Sequence, residues 1–338
     1  MKVFVTGSTG LLGNNLVRQL GEAGHQVLGL VRSEEKARRL LGDTRMTAVR
    51  GDMRDVPGFA ATLEGCDAVC HAAAYFREYY QPGDHAAALD EINVRGTLGL
   101  MAEADRRGVS RFVHVSSGGT IGIKPDGSPG DEDTPPTPLQ MTNLYFRSKV
   151  EGDAAIRAWQ PSRGMEVVEV LPGWMWGPGD AAPTSAGQVA LDFLARRIPA
   201  IVDGGSCVVD ARDVAAAMIA AVERGRAGEK YIVGGAYVTM EDILHGLERV
   251  SGVPAPRFRM PHLALMAFAW LGEALARLTG AKVLITREGV RVLHARIRLD
   301  SSKAARELGA RFRPIDETLR DVVAWYRAQP VAPATPGS

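Results

Sequence analysis

The stretch VFVTGSTGLLG, residues 3–13, leads from a short apolar run through three glycines into the apolar start of a helix. Its glycines at 7, 10 and 13 give the spacing G-x-x-G-x-x-G directly after the predicted strand. A backbone without side chains can approach a phosphate closely, and the N–H groups at the start of a helix favour negative charge. We therefore expect this turn to hold the pyrophosphate of a dinucleotide through Gly7, Thr9, Gly10, Leu11, Leu12 and Gly13.

Short apolar runs alternate with helical patterns along the first half of the chain. Strands are predicted at 3–5, 27–31, 68–70, 112–115 and 167–171, and helices at 14–23, 34–41, 59–63, 92–107 and 145–159. Such alternation is typical of parallel βαβ units. The predicted fold is α/β, a Rossmann-type doubly wound parallel sheet with a smaller α/β C-terminal region that binds substrate. We place the dinucleotide-binding domain at 1–171, with later segments returning to it, the substrate-binding region at 172–329 and a disordered tail at 330–338.

The residue after the second predicted strand bears on the choice of dinucleotide. NAD sites usually place a carboxylate about 20 residues after the glycines, where it binds the ribose 2′-hydroxyl. Here Val31 and then Arg32 occupy that position. A guanidinium can pair with the 2′-phosphate of NADP, so NADP(H) is favoured. Glu34 and Glu35 keep NAD(H) as the alternative, and a solvated arginine at a strand end is the plainer interpretation of Arg32.

Tyr145 and Lys149 form a Tyr-x-x-x-Lys pair on a predicted helix, where residues four apart share one face. An ammonium near a phenol lowers its pKa from about 10 and suits it to proton transfer. The pair is predicted to act as a general acid in carbonyl reduction or as a general base in alcohol oxidation. Ser117 follows the fourth predicted strand and would orient the substrate oxygen. Turn formation is the alternative role for Ser116 and Ser117.

These motifs together resemble the extended short-chain dehydrogenase/reductases, the NAD(P)-dependent epimerase/dehydratase superfamily. The motifs are Thr6–Gly13, Gly51–Asp55, His71–Ala74, Asn93, Val115–Ser117, Tyr145–Lys149 and Pro172-Gly173. The resemblance covers the chain from Met1 to about Arg327. It implies that Asn93 supports the active site through a helix kink and a water. It also implies cofactor contacts for Asp52, Met53, Ala72, Ala73, Ala74, Val115, Ser116, Tyr145, Lys149, Pro172, Gly173, Trp174 and Met175. Asp52 could instead cap a turn.

This chain departs from the family pattern at two positions, and each departure disfavours one reaction or one class of substrate. Dehydratases of this family carry an acidic pair after the catalytic serine, whereas this chain has Gly118-Gly119. Nucleotide-sugar epimerases usually carry an arginine where this chain has Ser206. Both elimination and a pyrophosphate-bearing substrate are therefore disfavoured. Compensation could still come from Arg196, Arg197 or Arg212.

Aromatic residues cluster in the presumed substrate region, which suggests an apolar cavity. The predicted substrate residues are Tyr75, Phe76, Tyr79, Gly118, Trp174 and Trp176. Ordinary packing under a loop would explain the same residues. The pattern resembles the dihydroflavonol-reductase and aldehyde-reductase branch, with hydroxysteroid dehydrogenases as a related possibility. We expect an NADP(H)-dependent oxidoreductase that interconverts a carbonyl and an alcohol on a bulky, largely apolar small molecule. The alternatives are an NAD-dependent sugar or nucleotide-sugar epimerase and a non-catalytic NADP(H)-binding regulatory protein.

Composition restricts partners and location. The formal net charge of +1 predicts no general attraction to nucleic acid or to an anionic membrane. Cys66, Cys70 and Cys207 are expected to be buried thiols, and the histidines show no metal-ligand spacing, so no metal is predicted. A strand at the start of the sequence, in place of a signal peptide, and the thiols favour a cytoplasmic protein. A homodimer is one candidate assembly, since similar proteins often pair through helices beside the Tyr-x-x-x-Lys segment.

The most apolar stretch, residues 263–271, is too short to cross a bilayer, so no stable membrane insertion is predicted. We expect a helix at 263–278 that is buried in the C-terminal region. A membrane-surface helix, a subunit contact and a pocket lid are the alternatives for this segment.

Overall fold

The computed structural model describes residues 1–76, 84–159, 161–162, 164–279 and 286–329. The predictions for Tyr79 and for the tail at 330–338 lie outside these residues. The strands are β1 (Lys2–Thr6), β2 (Gln26–Val31), β3 (Thr47–Arg50), β4 (Ala68–His71), β5 (Arg111–Val115), β6 (Glu166–Pro172), β7 (Trp174–Trp176), β8 (Ile201–Val202), β9 (Gly205–Asp210), β10 (Lys230–Val233), β11 (Ala236–Thr239) and β12 (Arg259–Met260).

The α-helices are α1 (Leu11–Glu22), α2 (Glu34–Leu41), α3 (Val56–Phe59), α4 (Ala86–Leu89), α5 (Gly96–Arg106), α6 (Pro138–Thr142), α7 (Leu144–Ala158), α8 (Ser185–Leu194), α9 (Ala211–Arg224), α10 (Met240–Ser251), α11 (His262–Thr279), α12 (Arg287–His294), α13 (Ser302–Leu308) and α14 (Ile315–Ala328). Single 3₁₀ turns lie at Ala60–Leu63 and Gly118–Thr120, and a π-helical turn lies at Asp90–Arg95.

Seven parallel strands form the central sheet in the order β10-β6-β5-β4-β1-β2-β3. This arrangement confirms the predicted Rossmann-type fold. β1 pairs with β2 on one side and with β4 on the other. The order in which strands are added to the sheet therefore reverses at β1, although the strands stay parallel. A crevice opens at the carboxyl ends of the strands at such a switch point, and ligands of open α/β sheets bind there.

Helices cover both faces of the central sheet. One apolar layer is built by α1, α9 and α13, and the opposite layer by α3, α5 and α7. Thus α9, β10 and α13, all later than residue 171, lie in the sheet or against it. Among the remaining C-terminal elements, α8, α10 and α14 form a separate apolar cluster beside the small sheet β11-β9-β7, and α11 packs with α12 in a smaller one.

Local differences from the sequence predictions have physical causes. β3 was not predicted because it is an edge strand with only Val49 buried, so it carries no apolar run. The predicted helix at 59–63 is a 3₁₀ turn that follows the short α3. The predicted helix at 92–107 begins as the π-helical turn and continues as α5.

The three cysteines are free and buried, as expected. Within the described residues, the helices all lack the combination of length and apolar character that a membrane crossing requires. The prediction that the helix at 263–278 is buried is wrong. One stripe of α11, which includes Leu265 and Ala269, packs on its neighbours, whereas Leu263, Trp270 and Leu271 are exposed.

Candidate active site

The glycine turn between β1 and α1 brings two stretches of backbone very close together. Gly7 has a φ of 68°, and a Cβ there would lie 2.8 Å from backbone atoms of Ala72 and Ala73. A Cβ on Gly13 would lie 2.1 Å from the carbonyl oxygen of Gly7. Neither position accepts a side chain without a backbone shift, because real Cβ atoms do not make contacts that short. The sequence therefore needs glycine at both positions to form this turn.

The first turn of α1 can donate hydrogen bonds from its backbone N–H groups. Gly10 is exposed at the helix start and provides no side-chain cap. Unpaired N–H groups at such a helix start can bind a pyrophosphate, so the turn fits the dinucleotide that the sequence predicts. The side chains of Leu11 and Leu12 are buried, which leaves only their backbone for a ligand. Thr9 is half-buried.

Arg32 lies directly after β2, on the same edge of the sheet as the glycine turn. Its side chain is exposed and makes no ion pair or hydrogen bond with any other described residue. Asp52 is half-buried and accepts the backbone N–H of Arg54 at 2.9 Å, so it does cap a turn. Met53 packs in the apolar layer with α3 and α5.

The alanines after β4 stand against the glycine turn. The backbone N–H of Ala73 donates to the hydroxyl of Thr6 at 3.1 Å. The same hydroxyl lies 2.7 Å from Nδ1 of buried His71. These contacts hold the carboxyl ends of β1 and β4 together, with Ala74 exposed at the edge.

Tyr145, Lys149 and Ser117 meet at the carboxyl end of β5. Asn143 caps α7 by accepting the backbone N–H of Phe146 at 2.9 Å, and this starts the helix just before Tyr145. Lys149 is buried one turn later and donates from Nζ to the Val115 carbonyl oxygen at 2.9 Å. The Ser117 hydroxyl forms a hydrogen bond with the phenol of Tyr145. The structure thus brings together the three residues predicted to be catalytic.

Burial dominates the proton equilibria of this group. Burial raises the pKa of the Tyr145 phenol above its ordinary value, and the hydrogen bond from Ser117 opposes that rise. Burial also lowers the pKa of Lys149 to about 8, although the carboxylates of Asp153 and Glu169 oppose this change. The predicted lowering of the Tyr145 pKa by Lys149 is therefore not what the structure shows. The raised pKa keeps the phenol in its protonated form, the form that a general acid needs.

The Ser116 side chain points away from this group. Its hydroxyl donates to Oδ1 of Asp153 at 2.6 Å, and both residues are buried. Nζ of Lys230 lies 3.5 Å from the other oxygen of Asp153. Burial and the adjacent Asp153 carboxylate raise the pKa of Glu169. Only the backbone of Ser116 is left to contact a cofactor, and Ser117 is the serine that faces Tyr145.

Asn93 joins the loop after β4 to the catalytic helix. Its side chain accepts the backbone N–H of Tyr75 at 2.7 Å and donates to the hydroxyl of Ser148 at 3.2 Å. Ser148 lies on α7 between Tyr145 and Lys149 and donates to the Tyr145 carbonyl oxygen at 2.8 Å. The π-helical turn that contains Asn93 directs its side chain inward. Asn93 is thus a positioning residue for the helix that carries Tyr145.

Apolar side chains surround Tyr145. The ring centroid of Phe76 lies 4.9 Å from that of Tyr145. Tyr75, half-buried, belongs to the same cluster. Leu139 and Leu144, just before Tyr145 in the chain, also belong to this cluster. Sequence reasoning missed its members from remote segments, which carry no motif and include Tyr237, Val292, Ala295, Ile297 and Leu299. Gly118 is buried beneath them, since a Cβ there would lie 2.5 Å from Leu299. This glycine lets the C-terminal segment pack over the site.

The residues that follow β6 pack in different parts of the protein. Pro172 ends β6, and a Cβ on Gly173 would lie 2.4 Å from the Gly234 carbonyl oxygen. Trp174 is half-buried, and its indole donates to the hydroxyl of Ser185 at 3.0 Å. Trp176 is only 1% exposed and packs in the C-terminal apolar cluster. The structure therefore places Trp176 in the core, and we do not retain it as a substrate residue. Met175 packs against the main core.

Comparison with known proteins supports this site. The family model for the NAD dependent epimerase/dehydratase family matches residues 3–234, which include the glycine turn, Ser117, Tyr145 and Lys149. The chain belongs to this family. It is an extended short-chain dehydrogenase/reductase, an NAD(P)-dependent oxidoreductase with a Rossmann-type fold.

Two relatives match this family member along most of their length. A sterol demethylase protein B from Methylococcus capsulatus is 36% identical over 97% of this chain and 98% of its own. A candidate dihydroflavonol 4-reductase from Synechocystis is 34% identical over 96% of this chain and 94% of its own. The crystal structure of gox2253 has a TM-score of 0.82 and 32% identity, covering 96% of this chain and 97% of that one.

Proposed function

We propose that this reductase-family member interconverts a carbonyl and an alcohol on a bulky, largely apolar small molecule, with NADP(H) as the cofactor. The observation that carries the proposal is the apolar cluster that contains Tyr145, in which the ring of Phe76 is tilted by 60° against the phenol ring and Leu299 is a further member. Such a lining favours a substrate with a large apolar surface around its reacting oxygen.

Each catalytic residue has a defined part in this reaction. The dinucleotide, when bound, supplies or accepts the hydride at its nicotinamide ring. Tyr145 gives its proton to the carbonyl oxygen during reduction and takes one back during oxidation. The Ser117 hydroxyl accepts the backbone N–H of Gly119 at 3.0 Å and hydrogen-bonds to the Tyr145 phenol. When substrate binds, its hydrogen would be donated to the substrate oxygen instead. Lys149 is positioned by Val115 to bind the nicotinamide ribose.

Substitution of Asp153 tests the electrostatic part of this proposal. The Asp153 carboxylate raises the pKa values of both Lys149 and Tyr145. In the wild type, carbonyl reduction should decline as pH rises through the pKa of Lys149, about 8, because the ammonium is lost. Asp153→Asn keeps an acceptor for Ser116 but removes the charge, so this decline in kcat/KM should move to lower pH.

The matched control is Glu151→Gln, which removes an exposed carboxylate from the same helix. Its pH profile should follow the wild type. An Asp153→Asn profile that stays in place, or moves to higher pH, would contradict the assigned electrostatics.

Two of the three arginines that could hold a sugar diphosphate have other partners, whereas Arg196 is exposed. Arg212 pairs with Asp210 and with Asp321, each at 2.7 Å. Arg197 pairs with Asp192 at 2.6 Å. These contacts leave fewer free cations for a pyrophosphate and favour an uncharged substrate. The names of the two relatives refer to sterols and dihydroflavonols, which are bulky multi-ring molecules.

The preference for NADP(H) is proposed on the basis of Arg32. Arg32→Ala should raise KM for NADPH by about 10- to 100-fold, the size expected for losing hydrogen bonds to a charged group. KM for NADH should stay nearly unchanged. Arg39→Ala, which removes another exposed arginine from the next helix, is the control and should leave both values unchanged. The measurement is steady-state oxidation of each reduced cofactor with a bulky cyclic ketone.

Three outcomes of that experiment would count against the proposal. A wild-type preference for NADH, or an Arg32→Ala variant with unchanged KM for NADPH, would overturn the assigned cofactor. Isomerisation of a sugar or nucleotide sugar without net oxidation of cofactor, and no turnover of ketones, would favour the epimerase alternative.

A further inference from the structure

The exposed face of α11 is apolar over residues 262–276. Among residues 262–276, the exposed side chains are those of Leu263, Ala264, Ala267, Phe268, Trp270, Leu271 and Leu275. The five large ones are between 42% and 82% exposed. Successive members are one to four residues apart, and at about 100° per residue they all fall on one side of the helix. A contiguous apolar face of this kind on a protein surface marks a site that contacts a membrane or another molecule.

The opposite side of α11 is already occupied. Leu265 and Ala269 pack with Val290 of α12, and the ring of His262 lies 4.2 Å from that of His294. Glu273 pairs with Arg287 of α12 at 2.8 Å. The helix is therefore held in place from beneath, and its apolar side faces away from the molecule.

The segment around α11 is strongly basic. Residues 257–298 contain eight Lys and Arg against two Glu, a net charge of +6 in a chain whose total is +1. Asp203 and Glu241, from outside the segment, pair with Arg296 and Arg259, which still leaves a net of +4. Arg257 and Arg291 are exposed and form no ion pair with another described residue. The apolar face thus lies within a strongly cationic part of the sequence.

We propose that α11 binds the surface of an anionic phospholipid bilayer. Its apolar side would enter the interfacial region while the flanking arginines contact lipid phosphates. Helices that lie on membranes combine these two features, an apolar face rich in Leu, Phe and Trp and basic residues beside it. The absence of a membrane-crossing helix among the described residues fits a helix that lies on a bilayer.

Charge favours a bilayer over a second copy of this chain. A two-fold symmetric contact would place the same patch against itself. Two segments of like positive charge would then repel each other, whereas anionic headgroups would attract each of them.

The surface is also connected to the active site. Val290 of α12 packs under α11, and Val292, two residues later, belongs to the apolar cluster around Tyr145. A bound membrane would therefore lie near the apolar side of the site. The membrane proposal stands on the surface alone and does not depend on the proposed substrate.

Co-sedimentation with vesicles tests the proposal on the full chain. The protein should pellet with vesicles of phosphatidylcholine and phosphatidylglycerol in equal parts, and much less with phosphatidylcholine alone. Trp270→Ser combined with Leu271→Ser should weaken binding to the anionic vesicles at least tenfold. Arg257→Gln combined with Arg291→Gln should also weaken it, and high salt should weaken wild-type binding. Ile123→Ser, at an exposed apolar residue elsewhere, is the control and should bind normally.

Equal vesicle binding by wild type and the Trp270/Leu271 variant would refute the proposal, as would a wild-type protein that stays in the supernatant with both vesicles. Light scattering distinguishes membrane binding from the alternative, a contact between two copies of this chain. A wild-type dimer that this variant converts to a monomer, without vesicle binding, would assign the face to subunit contact instead. Activity of the variants, which lie outside the catalytic group, confirms that they fold.

Discussion

Tyr145→Phe is expected to reduce kcat by about 10²- to 10⁴-fold, the range that general acid–base catalysis contributes. The substitution removes one oxygen from a buried ring and leaves its contacts with Phe76 and Phe146 in place. The proposed cofactor contacts of the glycine turn and Lys149 are left in place, so Kd for NADPH should change little. The measurement pairs steady-state kinetics with cofactor titration by fluorescence.

A second buried tyrosine provides the control. Tyr231 lies in β10, where its hydroxyl donates to Glu307 at 2.9 Å, away from the catalytic group. Tyr231→Phe should lower stability by about 1 kcal/mol through the lost hydrogen bond and leave kcat near the wild-type value. If Tyr145→Phe keeps a substantial share of turnover, Tyr145 is not the proton donor.

Gly13→Ala is expected to raise Kd for the dinucleotide by about 100-fold or more. The new Cβ would lie 2.1 Å from the Gly7 carbonyl oxygen, a backbone atom that cannot move without displacing the turn. Losing two hydrogen bonds from the turn to a charged phosphate would account for a change of that size. Isothermal titration with NADPH measures it.

Gly21→Ala is the matched control in the same helix. A Cβ at Gly21 meets no atom within 4 Å. This variant should bind NADPH normally and gain about 0.5–1 kcal/mol of stability, because alanine favours a helix over glycine. Wild-type affinity in a folded Gly13→Ala variant would show that the dinucleotide binds elsewhere.

The features that local sequence could predict are those in which neighbouring residues act together. The glycine turn after β1 and the Tyr145–Lys149 pair on α7 each need only a strand-to-helix junction or one helical turn. The structure brings both to the carboxyl edge of the sheet. Buried apolar runs likewise indicated the central strands.

Features that depend on distant contacts could not be predicted. Leu299 and Val292 join the apolar cluster that contains Tyr145 because the chain returns to the site after residue 286, and no local sequence pattern indicates that return. Trp176 looked like a substrate residue from its position after Pro172-Gly173, but tertiary packing buries it. The apolar composition of α11 indicated burial, although only one of its stripes found partners.

The pKa shifts of Tyr145 and Lys149 also could not be predicted without the folded structure. Spacing alone suggested that Lys149 would lower the pKa of Tyr145. Burial of both groups and the carboxylate of Asp153 decide the outcome, and neither can be derived from a four-residue spacing.

A crystal structure of the chain with NADPH is the most direct test of the central claim, that a phenol donates its proton beside a bound nicotinamide. Density should show the pyrophosphate on the turn from Gly7 to Gly13, the 2′-phosphate near Arg32, and the nicotinamide next to Tyr145 and Lys149. A dinucleotide that leaves Tyr145 remote from its nicotinamide ring, or a crystal that takes up none at saturating NADPH, would contradict the claim.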